Sequence, residues 1–318
     1  MASLVVCENS SAVQDAEALQ KACKGWGADE KAIIKILGHR NAAQKRQIRQ
    51  AYEQLYQEDL VKRLESELSG DLERAMYRWI LDPEDRDGVL ANLALKKIKK
   101  EYGVIIEIAC VLSAEQLLGV RRAYQCRYKR SLEEDVAANT TADMRKLLVS
   151  LVSTYRYEGN EVNTTLAKME ADILYGALKA NSINYEEIIR ILTTRSKAQL
   201  MATFNRYRDD HCSSLTKSLR NTDDEFQKAL RTTIRCIKDP RKYFEKVKAY
   251  FKYVSYTMKG MGTDEDTLTR VIVSRAETDL NEIKELYYKR NSVCLDHAVT
   301  KETSGHYKAF SLTLMGKD

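Results

Sequence analysis

The sequence predicts an all-α protein built from four copies of one helical unit. Three observations carry this. Helix breakers are scarce, with two prolines and 13 glycines in 318 residues. Apolar residues recur at three- and four-residue spacing, as in "EKAIIKILGHRNAAQKRQIRQAYEQLY" (30–56). Four segments also align: "IIKILGHRNAAQ" (33–44), "IIEIACVLSAEQ" (105–116), "IIRILTTRSKAQ" (188–199) and "TRVIVSRAETD" (269–279).

Arg40, Leu112, Arg195 and Arg275 serve as register marks. Twelve residues after each mark stands a tyrosine: Tyr52, Tyr124, Tyr207 and Tyr287. Twenty after each stands a leucine: Leu60, Leu132, Leu215 and Leu295. The marks are 72, 83 and 80 residues apart, so each unit is as long as a small helical domain. Pro83 and Pro240 fall 43 and 45 residues past their marks, where a proline ends a helix. The expected organisation is a short tail (1–13) and four units (14–85, 86–160, 161–243, 244–318). The longest polar connection, 155–170, lies between the second and third units. It suggests two pairs of units joined in the middle.

Composition narrows the function. With 44% hydrophobic and 31% charged residues, the chain can bury a sizeable core. Its longest apolar runs, such as "LLVSLV" (147–152), fall far short of the roughly 18 residues of a membrane span. The N-terminus has no secretory signature. Seven scattered cysteines fit a reducing, cytoplasmic compartment. A net charge of +6 favours anionic partners without choosing among phospholipid, actin-like filaments and nucleic acid.

Two short stretches stand out: "CKGWGADEK" (23–31) and "MKGMGTDED" (258–266). Gly25 and Gly27 lie 15 and 13 residues before the first mark, and Gly260 and Gly262 occupy the same offsets in the fourth unit. The second unit has Lys97 and Lys99 there, and the third has Ala180 and Ser182. Twenty-seven residues after each mark come Glu67, Asn139, Thr222 and Glu302. The acid is present where the glycines are present and absent where they are absent.

Calcium coordination needs this combination. Ca²⁺ takes six to eight hard oxygen ligands. Glycines let a short loop adopt positive φ and turn its carbonyls towards one point. Three carbonyls and a bidentate carboxylate make five oxygens and leave room for an outside oxygen. One carboxylate implies weak binding alone, on the order of 10⁻⁴–10⁻³ M. A phosphate would complete the shell, so the ion would bridge the protein to an anionic surface.

At these residues the chain resembles the annexins, and the short tail and Trp26 resemble a plant annexin. Annexin repeats carry lysine–glycine–x–glycine–threonine–aspartate, with an acid about 42 positions after the first glycine. "KGWGADE" and "KGMGTDE" match it, although Ala28 replaces the threonine of the first. The resemblance covers the whole chain and implies four repeats of about five helices each, arranged as a curved disc. It implies calcium-dependent, peripheral binding to anionic phospholipid membranes when cytoplasmic calcium rises. The calcium loops would lie on the convex face. The first site would use the carbonyls of Cys23, Gly25 and Gly27 with the carboxylate of Glu67. The fourth would use Met258, Gly260, Gly262 and Glu302. Trp26 and Met261 would project into the lipid headgroup region, which tryptophan favours. Lys24 and Lys259 would sit beside lipid phosphates. Units two and three depart at every ligand-setting position and are expected to hold no such site.

Other features receive plainer readings. Asp29, Glu30, Asp264 and Glu265 are expected to cap and charge-stabilise the following helices. The four register tyrosines are expected to pack within their repeats. The run "LKKIKKEY" (95–102) occupies the lost loop of unit two. Its Lys96, Lys97, Lys99 and Lys100 form a basic face that would attract anionic lipid at ~1 kcal/mol per residue. "DPEDRDG" (82–88) fails as a calcium loop of the EF-hand type, because Pro83 and Ala94 fall where carboxylates are required. No phosphate-binding loop is present. A non-enzymatic binding protein is the expected class, with no specific nucleic-acid partner. Oligomerisation on the membrane fits the resemblance. Plant annexins have been linked to peroxidase activity through a first-repeat histidine, here His39, and Cys110 and Cys236 match a cysteine pair of that group. A redox or stress-response protein is therefore the alternative. "IRI" (189–191) resembles an actin-binding tripeptide.

Overall fold

The computed structural model describes residues 1–25, 27–153, 155–179, 185–219, 224–247 and 265–317. The described residues contain α-helices and no strand. The first repeat holds α1 (Ala12–Ala22), α2 (Glu30–Leu37), α3 (Ala42–Tyr56), α4 (Leu60–Glu67) and α5 (Gly70–Ile80). The second holds α6 (Pro83–Lys96), α7 (Tyr102–Val111), α8 (Ala114–Tyr128), α9 (Leu132–Ala138) and α10 (Ala142–Ser153). The third holds α11 (Thr164–Lys179), α12 (Tyr185–Thr194), α13 (Lys197–His211), α14 (Leu215–Ser218) and α15 (Glu225–Lys238). The fourth begins with a helix described over 240–247 (α16). It continues through α17 (Glu265–Arg275), α18 (Leu280–Asn291), α19 (Leu295–Glu302) and α20 (Gly305–Leu314). Both prolines open the next helix, where a missing N–H costs nothing.

The register has a physical basis in helix ends. One residue after the first three marks, Asn41, Ser113 and Ser196 cap the N-termini of α3, α8 and α13. Gln44 and Gln116 complete capping boxes from four residues after the mark. Each third helix of a repeat then ends in a left-handed residue at one common offset. These residues are Gln57 (φ 53°), Lys129 (φ 58°), Cys212 (φ 48°) and Ser292 (φ 54°). Two marks make ion pairs with the first helix of their repeat, the first buried and the second partly exposed. Arg40 is bidentate to Asp15 at 2.6 and 2.8 Å, and Arg195 Nε lies 2.6 Å from Glu170 Oε1. The four tyrosines are buried as expected. The Tyr124 hydroxyl donates to Asp135 at 2.7 Å, and the Tyr207 hydroxyl to Ser218 Oγ at 2.9 Å.

The chain divides into two compact units, Met1–Arg86 with Phe244–Asp318, and Asp87–Tyr243. The first and fourth repeats therefore pair, as do the second and third. This corrects the expectation that the connection 155–170 separates two pairs. Most of that segment is exposed, but a few of its residues bond it into the second unit. Arg156 is buried and donates to the Leu192 carbonyl at 2.9 Å. Asn163 exchanges hydrogen bonds of 2.8 and 3.0 Å with the Gln199 side chain, and Glu158 accepts from Ala114 N–H at 2.9 Å.

Within the first unit, α2 and α5 pack against α20, and α5 against α17. Gly38 is needed at the end of α2, because a Cβ there would stand 2.7 Å from Thr313 Cγ2. Arg78 pairs with Asp266, and the Trp79 indole donates to the Leu37 carbonyl at 2.7 Å. Lys45 is fully buried with its ammonium 3.1 Å from the Trp79 ring centroid and 3.5 Å from Glu277. Burial pushes its pKa down to about 7, against the partial opposition of Glu277. The N-terminal tail is pinned down: Ser3 N–H donates to Ala276 O at 2.9 Å and its hydroxyl to Leu314 O at 2.6 Å.

Candidate functional site

The first double-glycine loop joins α1 to α2. Its base is closed by the Asp29 N–H donating to the Ala22 carbonyl at 2.8 Å. Asp29 then caps α2 by accepting from Ala32 N–H at 3.0 Å, as expected of it. Gly25 and Gly27 have φ of +127° and +95°. A Cβ built on either meets nothing within 4 Å. Glycine is therefore required by backbone conformation rather than by crowding.

Glu67 is the last residue of α4 and approaches this loop from the other side of the repeat. Between them stands Arg63, one turn earlier on the same helix. Its Nη2 donates to the Cys23 carbonyl at 2.7 Å and lies 3.0 Å from Glu67 Oε1. A carbonyl and the carboxylate expected to share a cation thus share a guanidinium. Arg63 Nη1 lies 3.8 Å from Glu58 Oε1, and Arg63 Nε is buried without a hydrogen-bond partner among the described residues. Sequence reasoning missed Arg63. The signal was its departure from register: the same position holds Asp135, Ser218 and Ala298 in the other repeats.

The Cys23 thiol is buried, and burial pushes its pKa up to about 11. In the fourth repeat, Glu302 is the last residue of α19, as Glu67 is of α4. Both acids are followed by a serine N-cap and a positive-φ glycine, Gly70 (φ 65°) and Gly305 (φ 59°). Trp26, Met258, Lys259, Gly260, Met261 and Gly262 lie outside the described residues, as do Ala180, Ser182, Thr222 and Asp264. Lys24 is exposed beside the first loop.

The lost loop of the second repeat keeps the same base. Glu101 N–H donates to the Ala94 carbonyl at 3.2 Å, at the offsets of Asp29 and Ala22. Lys96 and Lys99 are exposed, while Lys97 pairs with Glu101 at 2.8 Å. The Lys100 ammonium turns inward, donating to Leu95 O and, at 3.0 Å, to Asn139 Oδ1. Leu95 and Asn139 occupy the register positions of Cys23 and Glu67.

Groups proposed for redox chemistry are poorly placed for it. Cys110 on α7 and Cys236 on α15 are fully buried on helices that pack together. Burial pushes the Cys110 thiol up to about 11 and the Cys236 thiol well above its usual range, which disfavours the reactive thiolate. His39 Nδ1 lies 3.0 Å from the Val5 carbonyl, so this ring holds the N-terminal tail.

Four helical repeats with loop–acid pairs in the first and last define the class, and comparison with known proteins agrees. The annexin family model matches residues 14–79, 89–151, 169–232 and 253–314. The chain is 64% identical over 319 residues to Annexin-like protein RJ4 of Fragaria ananassa, covering 100% of both. It aligns with the solved structure of annexin III at a TM-score of 0.91 and 31% identity, covering 100% of this chain and 97% of that one. It aligns with calcium-bound annexin (Sm)1 at a TM-score of 0.83 and 27% identity, covering 100% and 93%. The chain belongs to the annexin family, whose members bind phospholipid in a calcium-dependent way.

Proposed function

We propose that this annexin is a non-enzymatic, cytoplasmic protein that docks peripherally on anionic phospholipid through calcium bridges in its first and fourth repeats. One observation carries the reading. A side-chain cation lies between the Cys23 carbonyl and the Glu67 carboxylate, beside a loop whose two glycines hold positive φ. The donor set is hard oxygen and already attracts positive charge, so it fits calcium. Among the described residues no cluster of three His, Cys, Asp or Glu side chains could hold a metal. A site of carbonyls with one carboxylate would not form such a cluster.

The carbonyls of Cys23, Gly25 and Gly27 and the carboxylate of Glu67 would hold the ion in the first repeat. Met258, Gly260, Gly262 and Glu302 would do so in the fourth. Calcium, when bound, supplies positive charge and open coordination positions for a lipid phosphate. Trp26 and Met261 would then enter the headgroup region, with Lys24 and Lys259 beside phosphates. No helix among the described residues is long and apolar enough to cross a membrane, which suits docking at the surface. The exposed Lys96 and Lys99 would add attraction that needs no calcium. The test is calcium-titrated binding to phosphatidylserine vesicles. Binding that survives chelation undiminished would refute the bridge.

A further inference from the structure

The loops of the first and second repeats share their closing hydrogen bond, their carbonyl at the Cys23 position and their side chain at the Glu67 position. In each, a cationic side chain of the chain itself joins that carbonyl to that side chain. The cation comes from a different place each time. Arg63 reaches up from α4. Lys100 comes from the loop itself, at the position of Ala28. Two unrelated cations converging on one register position argue that the position selects positive charge.

We propose that Lys100 is the permanent resident of the second-repeat position and that Arg63 is a displaceable resident of the first, competing with calcium for Cys23 and Glu67. This rests on the calcium reading above. The difference lies in the anionic partner. Asn139 is neutral, so a divalent ion gains no carboxylate there and the ammonium stays. Glu67 is charged, and a divalent ion gains more from it than a monovalent guanidinium does. Arg63 is also incompletely satisfied, with Nε buried and unbonded among the described residues. It has somewhere to go, because Glu58 already lies 3.8 Å from Nη1. Binding at the first repeat therefore includes the cost of releasing Arg63, and this residue sets the calcium level at which that repeat engages.

The test uses the full chain carrying Glu302→Gln, which leaves the first repeat as the main site. The calcium midpoint of co-sedimentation with phosphatidylserine vesicles is compared among this parent, Arg63→Gln and Arg63→Lys. Equilibrium dialysis against radioactive calcium gives a second readout without lipid. Arg63→Gln should lower the midpoint about two- to fivefold, as expected for removing a partly exposed competing ion pair. Arg63→Lys, which keeps a competing charge, should stay near the parent. An unchanged or higher midpoint in Arg63→Gln, with helicity unchanged by circular dichroism, would overturn the proposal and leave Arg63 as a loop support. Glu67→Gln in the same parent separates the two levels. If it binds calcium as the parent does, the first-repeat calcium site is itself wrong, and the proposal falls with it.

Discussion

Arg63 and Glu67, one turn apart on α4, form a 3.0 Å ion pair whose guanidinium also holds the Cys23 carbonyl. The pair is partly exposed, so its own stabilising effect is small, within about 1 kcal/mol. Its importance is positional. Glu67→Gln should leave the fold intact and reduce calcium-dependent vesicle binding, with the fourth repeat retaining the remainder. Circular dichroism and co-sedimentation together check this.

The Arg40–Asp15 pair is a different case, because both side chains are almost fully buried. Removing one partner leaves a buried charge uncompensated. Arg40→Leu should destabilise the protein by about 3 kcal/mol in urea unfolding. The double variant Asp15→Leu with Arg40→Leu should recover much of that loss.

Lys45 gives a pH dependence with a definite sign. Its folded pKa is held down to about 7, below that of an unfolded lysine, by burial. Between these values the unfolded chain binds a proton that the folded chain does not, so stability rises with pH. Below about pH 7 both states are charged and the full cost is present. Wild type should gain about 2 kcal/mol relative to Lys45→Met between pH 7.5 and 9, measured by urea unfolding. Parallel curves for the two proteins would contradict this.

Thiol accessibility separates the seven cysteines. Cys7, Cys126, Cys212 and Cys294 are exposed, while Cys23, Cys110 and Cys236 are buried. Titration of the folded protein with a chromogenic disulfide at pH 8 should show four fast thiols and three more only in denaturant. Fast reaction of Cys110 or Cys236 would revive the redox alternative.

Much of this architecture was legible because the first three repeats spell the start of their third helix in side chains. Asn41 with Gln44 and Ser113 with Gln116 are capping pairs, and the tyrosine spacing follows from one helix length. Pairing of the repeats was not legible. The polarity of 155–170 suggests a linker, whereas Arg156 and Asn163 bond it into the second unit. At the site, the glycines and Glu67 announced themselves by agreement between repeats. Arg63 did not, because an arginine one turn before a glutamate is an ordinary helical pair. Its departure from the register hints at a role, and its reach to Cys23 gives that role a meaning. Lys100 was read as part of a lipid-attracting basic face, since spacing does not say which lysine turns inward.

The most direct test of the calcium-bridge account is co-sedimentation with phosphatidylserine vesicles under titrated calcium. Wild type would be compared with Glu67→Gln, Glu302→Gln and the double variant. The account predicts that wild type pellets only with calcium, that each single variant needs more of it, and that the double variant stays in the supernatant. A double variant that pellets as well as wild type would contradict the account. It would move the anchor to the exposed Lys96 and Lys99.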